Sequence, residues 1–269
     1  MRLSVVLISY NALHFLKPCL QALTGETGAR SDEMEIILVD NGSTDGTAGF
    51  VRSFYPEVKF IPLPANKGVA YARNRGMETA SGRYILLLDA DTVPNREALD
   101  GMVGYMDTHP ETGLCGARLV DPSGCVQDSC KRFPALGFKF NNILITLAGR
   151  SGLSGWKKNL EERNRKYHYD NVAAIREPFS PDYLIGACQL IRKEVVEKTG
   201  LLDEHIFFGP EDADYCFRVR QSGWNVIYLP QFSIVHHWQR TTSRKIFSSL
   251  AFRHIQGLAY FYMKYRRIK

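Results

Sequence analysis

Leu86-Leu87-Leu88-Asp89-Ala90-Asp91 is an apolar run that stops at two carboxylates. With Tyr84-Ile85 before the leucines the segment has no polar face, so it reads as a strand buried on both sides, as in a sheet with helices on each face. The same texture recurs towards the N-terminus. Leu3 to Ile8 reads as a strand, Leu13 to Leu23 as a helix and Met34 to Val39 as a second strand. Next comes the turn Asp40-Asn41-Gly42-Ser43-Thr44-Asp45-Gly46, where Ser43, Thr44 or Asp45 can cap a helix running to about Phe54. Val58 to Pro62 is a third strand, and Asn66-Lys67-Gly68 opens a helix that runs through Thr79 and is closed by Ser81-Gly82. This alternation predicts a doubly wound, Rossmann-like α/β sheet flanked by helices, with ligands outside the carboxyl ends of its strands.

Beyond the fourth strand the texture changes. Residues from about Asp121 to Ser180 are rich in Gly and Pro and include the basic run from Trp156 to Lys166, which reads in part as a mobile loop. Regular patterning returns over Tyr183 to Ile191 and in a helix to Thr199. A helix over Asp212 to Ser222 and a strand-turn-strand unit over Val226 to Val235 follow. No linker divides the chain, which predicts one domain over residues 1–245, with a nucleotide-binding half to about 120 and an acceptor and catalytic half after it. Residues 246–269 form a basic aromatic C-terminal helix.

Composition narrows the function classes. With 269 residues, 45% hydrophobic and 23% charged, the chain can bury a core and is not globally disordered. A net charge of +6 favours anionic partners. Lys and Arg are spread without a nucleic-acid module, which argues against nucleic acid. No apolar run approaches the roughly 18 residues needed to span a bilayer. The N-terminal Met1 to Asn11 lacks the apolar stretch and cleavage site of a signal peptide and reads as a buried strand. Six scattered cysteines show no metal-binding spacing and read as reduced thiols of a cytosolic protein.

Two aspartates at i and i+2 on a strand share one face, so Asp89 and Asp91 can address one ligand. Their mutual repulsion is relieved by a hard divalent cation such as Mg²⁺ or Mn²⁺, which can also take diphosphate oxygens. A plain turn after a buried strand is the structural alternative. Asp40, at another strand end, can accept from the imide N–H of uracil or thymine, or serve as an Asx-turn residue. Glu211, Asp212 and Asp214 open a helix, where carboxylates complement the macrodipole, but one of them can act as a general base if the fold brings it near the metal site. His236 and His237 face opposite ways on a strand, so at most one reaches Asp91. The tail, with Tyr260-Phe261-Tyr262 and Lys264-Tyr265-Arg266-Arg267, reads either as a helix packed on the core or as an anchor to anionic lipid.

Together these segments resemble the inverting glycosyltransferases of family 2, with the GT-A fold, and within them the rhamnosyltransferase-like and galactofuranosyltransferase-like branch. The resemblance is carried by Val5 to Asn11, Val39 to Asp45, Asn66 to Asn74 and Asp89-Ala90-Asp91. In the second half it is carried by Gly186-Ala187, Gly200 to Glu204, Glu211 to Tyr215, Gly223-Trp224, Leu229-Pro230 and His236. It implies a UDP- or dTDP-sugar donor, rhamnose among the candidates, and a lipid-linked or growing cell-surface glycan as acceptor, at the cytoplasmic membrane face. It implies that Asp40 recognises the base, and that Ser9, Tyr10, Asn11, Asn66, Gly68, Arg73 and Ala90 line the nucleotide pocket. Asp89 lies near ribose and metal, Asp91 and His236 bind the metal, and Asp212 is the base with Glu211 beside it. The stretch from Trp238 to Arg244 lacks the glycine expected there, and Arg240 and Arg244 stand as diphosphate ligands instead. Three rival readings remain. Asp89-Ala90-Asp91-Thr92-Val93 also fits a haloacid-dehalogenase-type phosphotransferase, although that loop usually follows the first strand. A sugar nucleotidyltransferase would need a Gly-rich loop that Ser9 to Leu13 lacks, and an inactive nucleotide-sugar-binding scaffold would not need the base.

Overall fold

The computed structural model describes residues 2–25, 33–134, 171–238 and 249–265, with a few single positions between 135 and 170. Arg240, Arg244 and most of the basic run after Trp156 lie outside the described residues.

One mixed sheet of eight strands organises the molecule. Its order is β3 (Lys59–Pro62), β2 (Met34–Asp40), β1 (Leu3–Ser9), β4 (Tyr84–Asp89), β9 (Cys188–Arg192), β6 (Thr112–Val120), β10 (Asn225–His236) and β5 (Thr92–Val93). β1 pairs in parallel with β2 and β4, β2 with β3, and β6 with β10. β9 runs antiparallel between β4 and β6, so it ties the first four strands to the last ones. A second, two-stranded sheet joins β7 (Cys130–Lys131) and β8 (Tyr183–Leu184).

The apolar strands are two-sided, and each face has its own core. Val5, Leu7, Leu86 and Leu88 pack under α1 (Leu13–Thr24) and α4 (Arg96–Thr108) with Leu16, Leu20, Leu99 and Met102. Val6, Ile85 and Leu87 point the other way, towards Ala70 and Met77 of α3 (Val69–Thr79) and Tyr215 and Val219 of α6 (Glu211–Gln221). Gly76 lets α3 lie close, since a Cβ there would be 2.2 Å from Val6 Cγ1. Further helices among the described residues are α2 (Thr47–Phe54), α5 (Lys193–Thr199) and α7 (Ser249–Lys264), with a 3-10 turn at Val172–Ala174.

The regular segment Tyr183 to Ile191 holds two strands, β8 and β9, which flank Ile185-Gly186-Ala187 and belong to different sheets. Two local expectations change. Val226 to Val235 is not strand-turn-strand but part of the single strand β10, whose register to β6 shifts between Leu229 and Ser233. Pro230 lies in that irregularity, where a residue without an N–H is tolerated. The residue before α2 is Gly46 at φ 90°, and Asp45 serves two helices. Its Oδ1 accepts from Thr47 N and Oγ1, and its Oδ2 accepts from Leu13 N at the start of α1.

The terminal helix α7 turns Gly257, Leu258 and Phe261 inward. Lys264 Nζ lies 2.7 Å from both Asp203 and Asp214, Tyr260 donates to Asp203 and Tyr265 to Asp214. This inner face matches the core-packing reading of the tail. Among the described residues, no helix is long and apolar enough to cross a membrane. All six cysteines are free thiols, and only Cys125 is exposed.

Candidate functional site

Parallel pairing places the carboxyl ends of β1, β2 and β4 side by side: Ser9 is in register with Asp40, and Ile8 with Asp89. Ser9 and Asp40 are buried, whereas Tyr10 is half exposed. Asn11, at φ 49°, has its N–H on Ser43 Oγ and accepts from Thr44 N through Oδ1. Asp40 Oδ1 accepts from Ser43 N at 3.1 Å, the Asx-turn contact, and no hydrogen bond engages its Oδ2 among the described residues. Ser9 Oγ is buried without a partner.

Asn66 and Gly68 form the opposite rim, held by a residue that the sequence reading did not single out. Asn41 donates through Nδ2 to Asn66 Oδ1 and Gly68 O, and accepts from Lys67 N. Gly68 sits at φ 94°, and a Cβ there would meet Phe207 O at 2.7 Å. Only glycine lets this rim touch the loop before α6 without strain.

Arg73 reaches from α3 into the centre of the site and is 2% exposed. Its guanidinium meets Asp89 Oδ1 at 2.7 Å, Gly186 O at 2.7 Å and Glu211 Oε1 at 3.4 Å. It thus links the aspartate of β4 to the carboxylate pair at the start of α6. Gly186 is the crossing point: its carbonyl accepts from Arg73, its N–H donates to Asp212 Oδ2 at 3.2 Å, and a Cβ would lie 2.2 Å from Arg73 Nη1. Only a glycine leaves room for the guanidinium at this point between β8 and β9.

The carboxyls of Glu211 and Asp212 both sit above the ordinary range. Burial is the main cause for each. For Glu211 the neighbouring Asp212 charge adds to it, while Arg73 opposes the rise in both. They titrate as a pair.

Asp89, Asp91 and His236 converge on the other side, each offering one ligand atom within 4.8 Å of the others. His236 Nε2 is 3.4 Å from Asp91 Oδ1. His237 faces elsewhere: its ring packs against Phe15, and its N–H donates to Asp91 O. Two carboxylates and an imidazole fit Mg²⁺ or Mn²⁺ in their donor chemistry. His236 is also gripped by Gln127, a second residue missed in the sequence, whose only trace is the Asp-Pro-Ser-Gly turn before it. Ala90, between the aspartates, is buried.

Comparison with known proteins agrees with this geometry. Over 265 residues the chain is 27% identical to the N-acetylglucosaminyl-diphospho-decaprenol L-rhamnosyltransferase of Mycobacterium tuberculosis, covering 94% of this chain and 81% of that protein. A mannosyltransferase from Pyrobaculum calidifontis, solved with GDP-Man and Mn²⁺, superposes with a TM-score of 0.63 at 19% identity, covering all of this chain and 65% of that one. GalNAc-T7 with UDP, GalNAc and Mn²⁺ gives a TM-score of 0.61 at 16% identity, over 89% of this chain and 45% of that one. The fold is therefore GT-A. Residues 4–200 match the family model described as glycosyl transferase family 2, and this span includes the motifs that border the site from β1 to β9. On that match, the chain belongs to glycosyl transferase family 2.

Proposed function

We propose that this glycosyltransferase works by a metal-dependent, inverting displacement. In it, a sugar passes from a UDP- or dTDP-linked donor to a hydroxyl of a lipid-linked or growing glycan. The observation that carries the reading is the bridge of Arg73 between Asp89 and Glu211, which sets the two-aspartate-and-histidine cluster beside the carboxylates of α6. Family membership removes the support for a phosphotransferase, and Asp89 ends the fourth strand rather than the first.

Asp40, with its free Oδ2, reads the base, and the Ser9-Tyr10-Asn11 and Asn66-Gly68 segments flank the nucleoside. Asp89, Asp91 and His236 hold the cation. When bound, a divalent cation neutralises charge on the departing diphosphate. Arg73 is too enclosed to touch nucleotide freely. It serves the site by holding Asp89 and Glu211 apart at fixed distances. Asp212, with Glu211 as its coupled neighbour, accepts the proton of the acceptor hydroxyl. The oxygen of that hydroxyl bonds to the anomeric carbon from the face opposite the phosphate, the bond to the phosphate oxygen breaks, and configuration inverts.

A thermal-shift and calorimetric panel of UDP, dTDP, GDP, CDP and ADP, each with and without Mg²⁺ or Mn²⁺, tests the donor site. Metal-dependent stabilisation by UDP or dTDP is expected, and a folded protein that answers no diphosphate overturns the reading.

The outer face of α7 supports contact with an anionic membrane. Phe252, Ile255 and Met263 are each more than 60% exposed, and the chain carries a net +6. Apolar side chains and positive charge together favour an interfacial site over water. The GT-A unit over 1–245 would then sit on the cytoplasmic face, with 246–269 as its contact. Replacing these three side chains by serine should abolish flotation with phosphatidylserine vesicles, and unchanged flotation would remove the membrane from the proposal.

A further inference from the structure

We propose that Gln127 is a positioning residue that fixes the tautomer of His236. The inference rests on the reading of Asp89, Asp91 and His236 as the metal site, and deepens it. His236 is 4% exposed, and Gln127 engages it twice. Gln127 Nε2 donates to His236 O at 2.7 Å, and Gln127 Oε1 lies 2.7 Å from His236 Nδ1. These contacts are not independent. A backbone carbonyl oxygen only accepts, so the amide NH₂ must face it, which leaves the amide oxygen facing the ring. That oxygen also only accepts, so Nδ1 must carry the proton.

A neutral imidazole protonated on Nδ1 keeps its lone pair on Nε2, the atom 3.4 Å from Asp91 Oδ1. Two facing acceptors are poor partners for each other and good partners for a cation. The opposite tautomer would point an N–H into the cluster and close it to a metal.

Gln127 is itself held by a tight hairpin. Asp121 Oδ1 accepts from Ser123 N and Cys125 N, and Gly124, at φ 85°, donates its N–H to Asp121 O. The returning arm pairs Gln127 N with Leu119 O at 2.8 Å. The Asp-Pro-Ser-Gly turn therefore sets the position of the amide that orients the histidine.

The test needs no sugar transfer. Two-bond ¹⁵N–¹H spectra of the metal-free protein at mildly alkaline pH show which nitrogen of His236 is protonated, and electron paramagnetic resonance counts bound Mn²⁺. The parent should show the proton on Nδ1. Gln127→Leu should lose that preference and bind Mn²⁺ about 10–100-fold more weakly. Gln127→Met, closer in length, replaces it if the leucine variant unfolds. Gln127→Glu still accepts from Nδ1 but cannot donate to the carbonyl, and should keep both the tautomer and most of the affinity. A parent proton on Nε2 overturns the proposal. So does parental Mn²⁺ affinity in Gln127→Leu, or an equal loss in the Leu and Glu variants, which would mark a merely structural tie. His236→Ala separates the two readings. If it leaves Mn²⁺ binding unchanged, the histidine's place in the metal site falls and this inference with it. If it weakens binding while Gln127→Leu does not, only the role of Gln127 falls.

Discussion

Glu211 and Asp212 are adjacent carboxylates in the first turn of α6, and on the proposed mechanism their environment sets when the enzyme can work. A base must be ionised to take a proton, and burial raises the cost of ionising either member. The acidic limb of kcat/KM should therefore lie above that of an ordinary carboxylate, because burial raises both members of the pair. A pH–rate profile whose acidic limb falls near that of a free carboxylate would contradict this. Stability should move in the opposite sense. Because the folded protein holds these protons more tightly than the unfolded chain, the pair's contribution to folding is complete below the ordinary carboxylate range and is lost as pH rises from there through the raised folded values. None of this was legible from Gly-Pro-Glu-Asp-Ala-Asp, where the acidic residues serve equally well as helix caps. What decides it is burial, which only the fold creates, against the opposing charge of Arg73, 138 residues away from Glu211 in sequence. Asn41 and Gln127 were illegible for the same reason, since each acts through one side-chain amide on a backbone that only the fold brings near.

Elements were more legible than contacts, because periodicity is local and packing is not. The strands and helices up to Asp89 follow from apolar runs and Asx or Gly punctuation. The failure occurs where tertiary pairing overrides pattern, at Pro230, where a bulge absorbs the proline. For α7 the sequence offered core packing and membrane contact as rivals, and the helix has a face suited to each. Its inner face depends on Asp214, a fully buried carboxylate that meets Arg218 Nε at 2.9 Å and both Lys264 Nζ and Tyr265 OH at 2.7 Å. Burial pushes the carboxyl of Asp203 up, but Lys264 and His205 hold it well below the usual range, so the second anchor stays ionised at neutral pH. Asp214→Asn leaves Arg218 without its buried counter-charge and Lys264 with Asp203 alone, and should cost about 3 kcal/mol in urea unfolding. A loss below about 1 kcal/mol would mean that Asp214 adds little to the hold on α7.

At the scale of the whole molecule, one late strand makes the sheet continuous. β9 seals β4 on one side and β6 on the other, so strands β1 to β4 and the pair β6 and β10 share a continuous set of backbone hydrogen bonds. GT-A architecture was legible from motif order, but this antiparallel insertion was not, because nothing in Cys188 to Arg192 records which neighbours it will have or in which direction. The insertion has a consequence for biosynthesis. β4 ends at Asp89 and its partner begins at Cys188, so about a hundred residues must leave the ribosome before the edge of β4 is covered. At about 5–20 residues per second, that edge stays open for about 5–20 s. The exposed stretch is Tyr84 to Leu88, all of it apolar and free of the charges that usually guard a sheet edge. A fragment of residues 1–110 should therefore self-associate in light scattering while the full chain does not, and a monodisperse fragment would show the edge to be harmless. The strand that unites the finished enzyme is also the one whose late arrival leaves an apolar edge uncovered in the nascent chain.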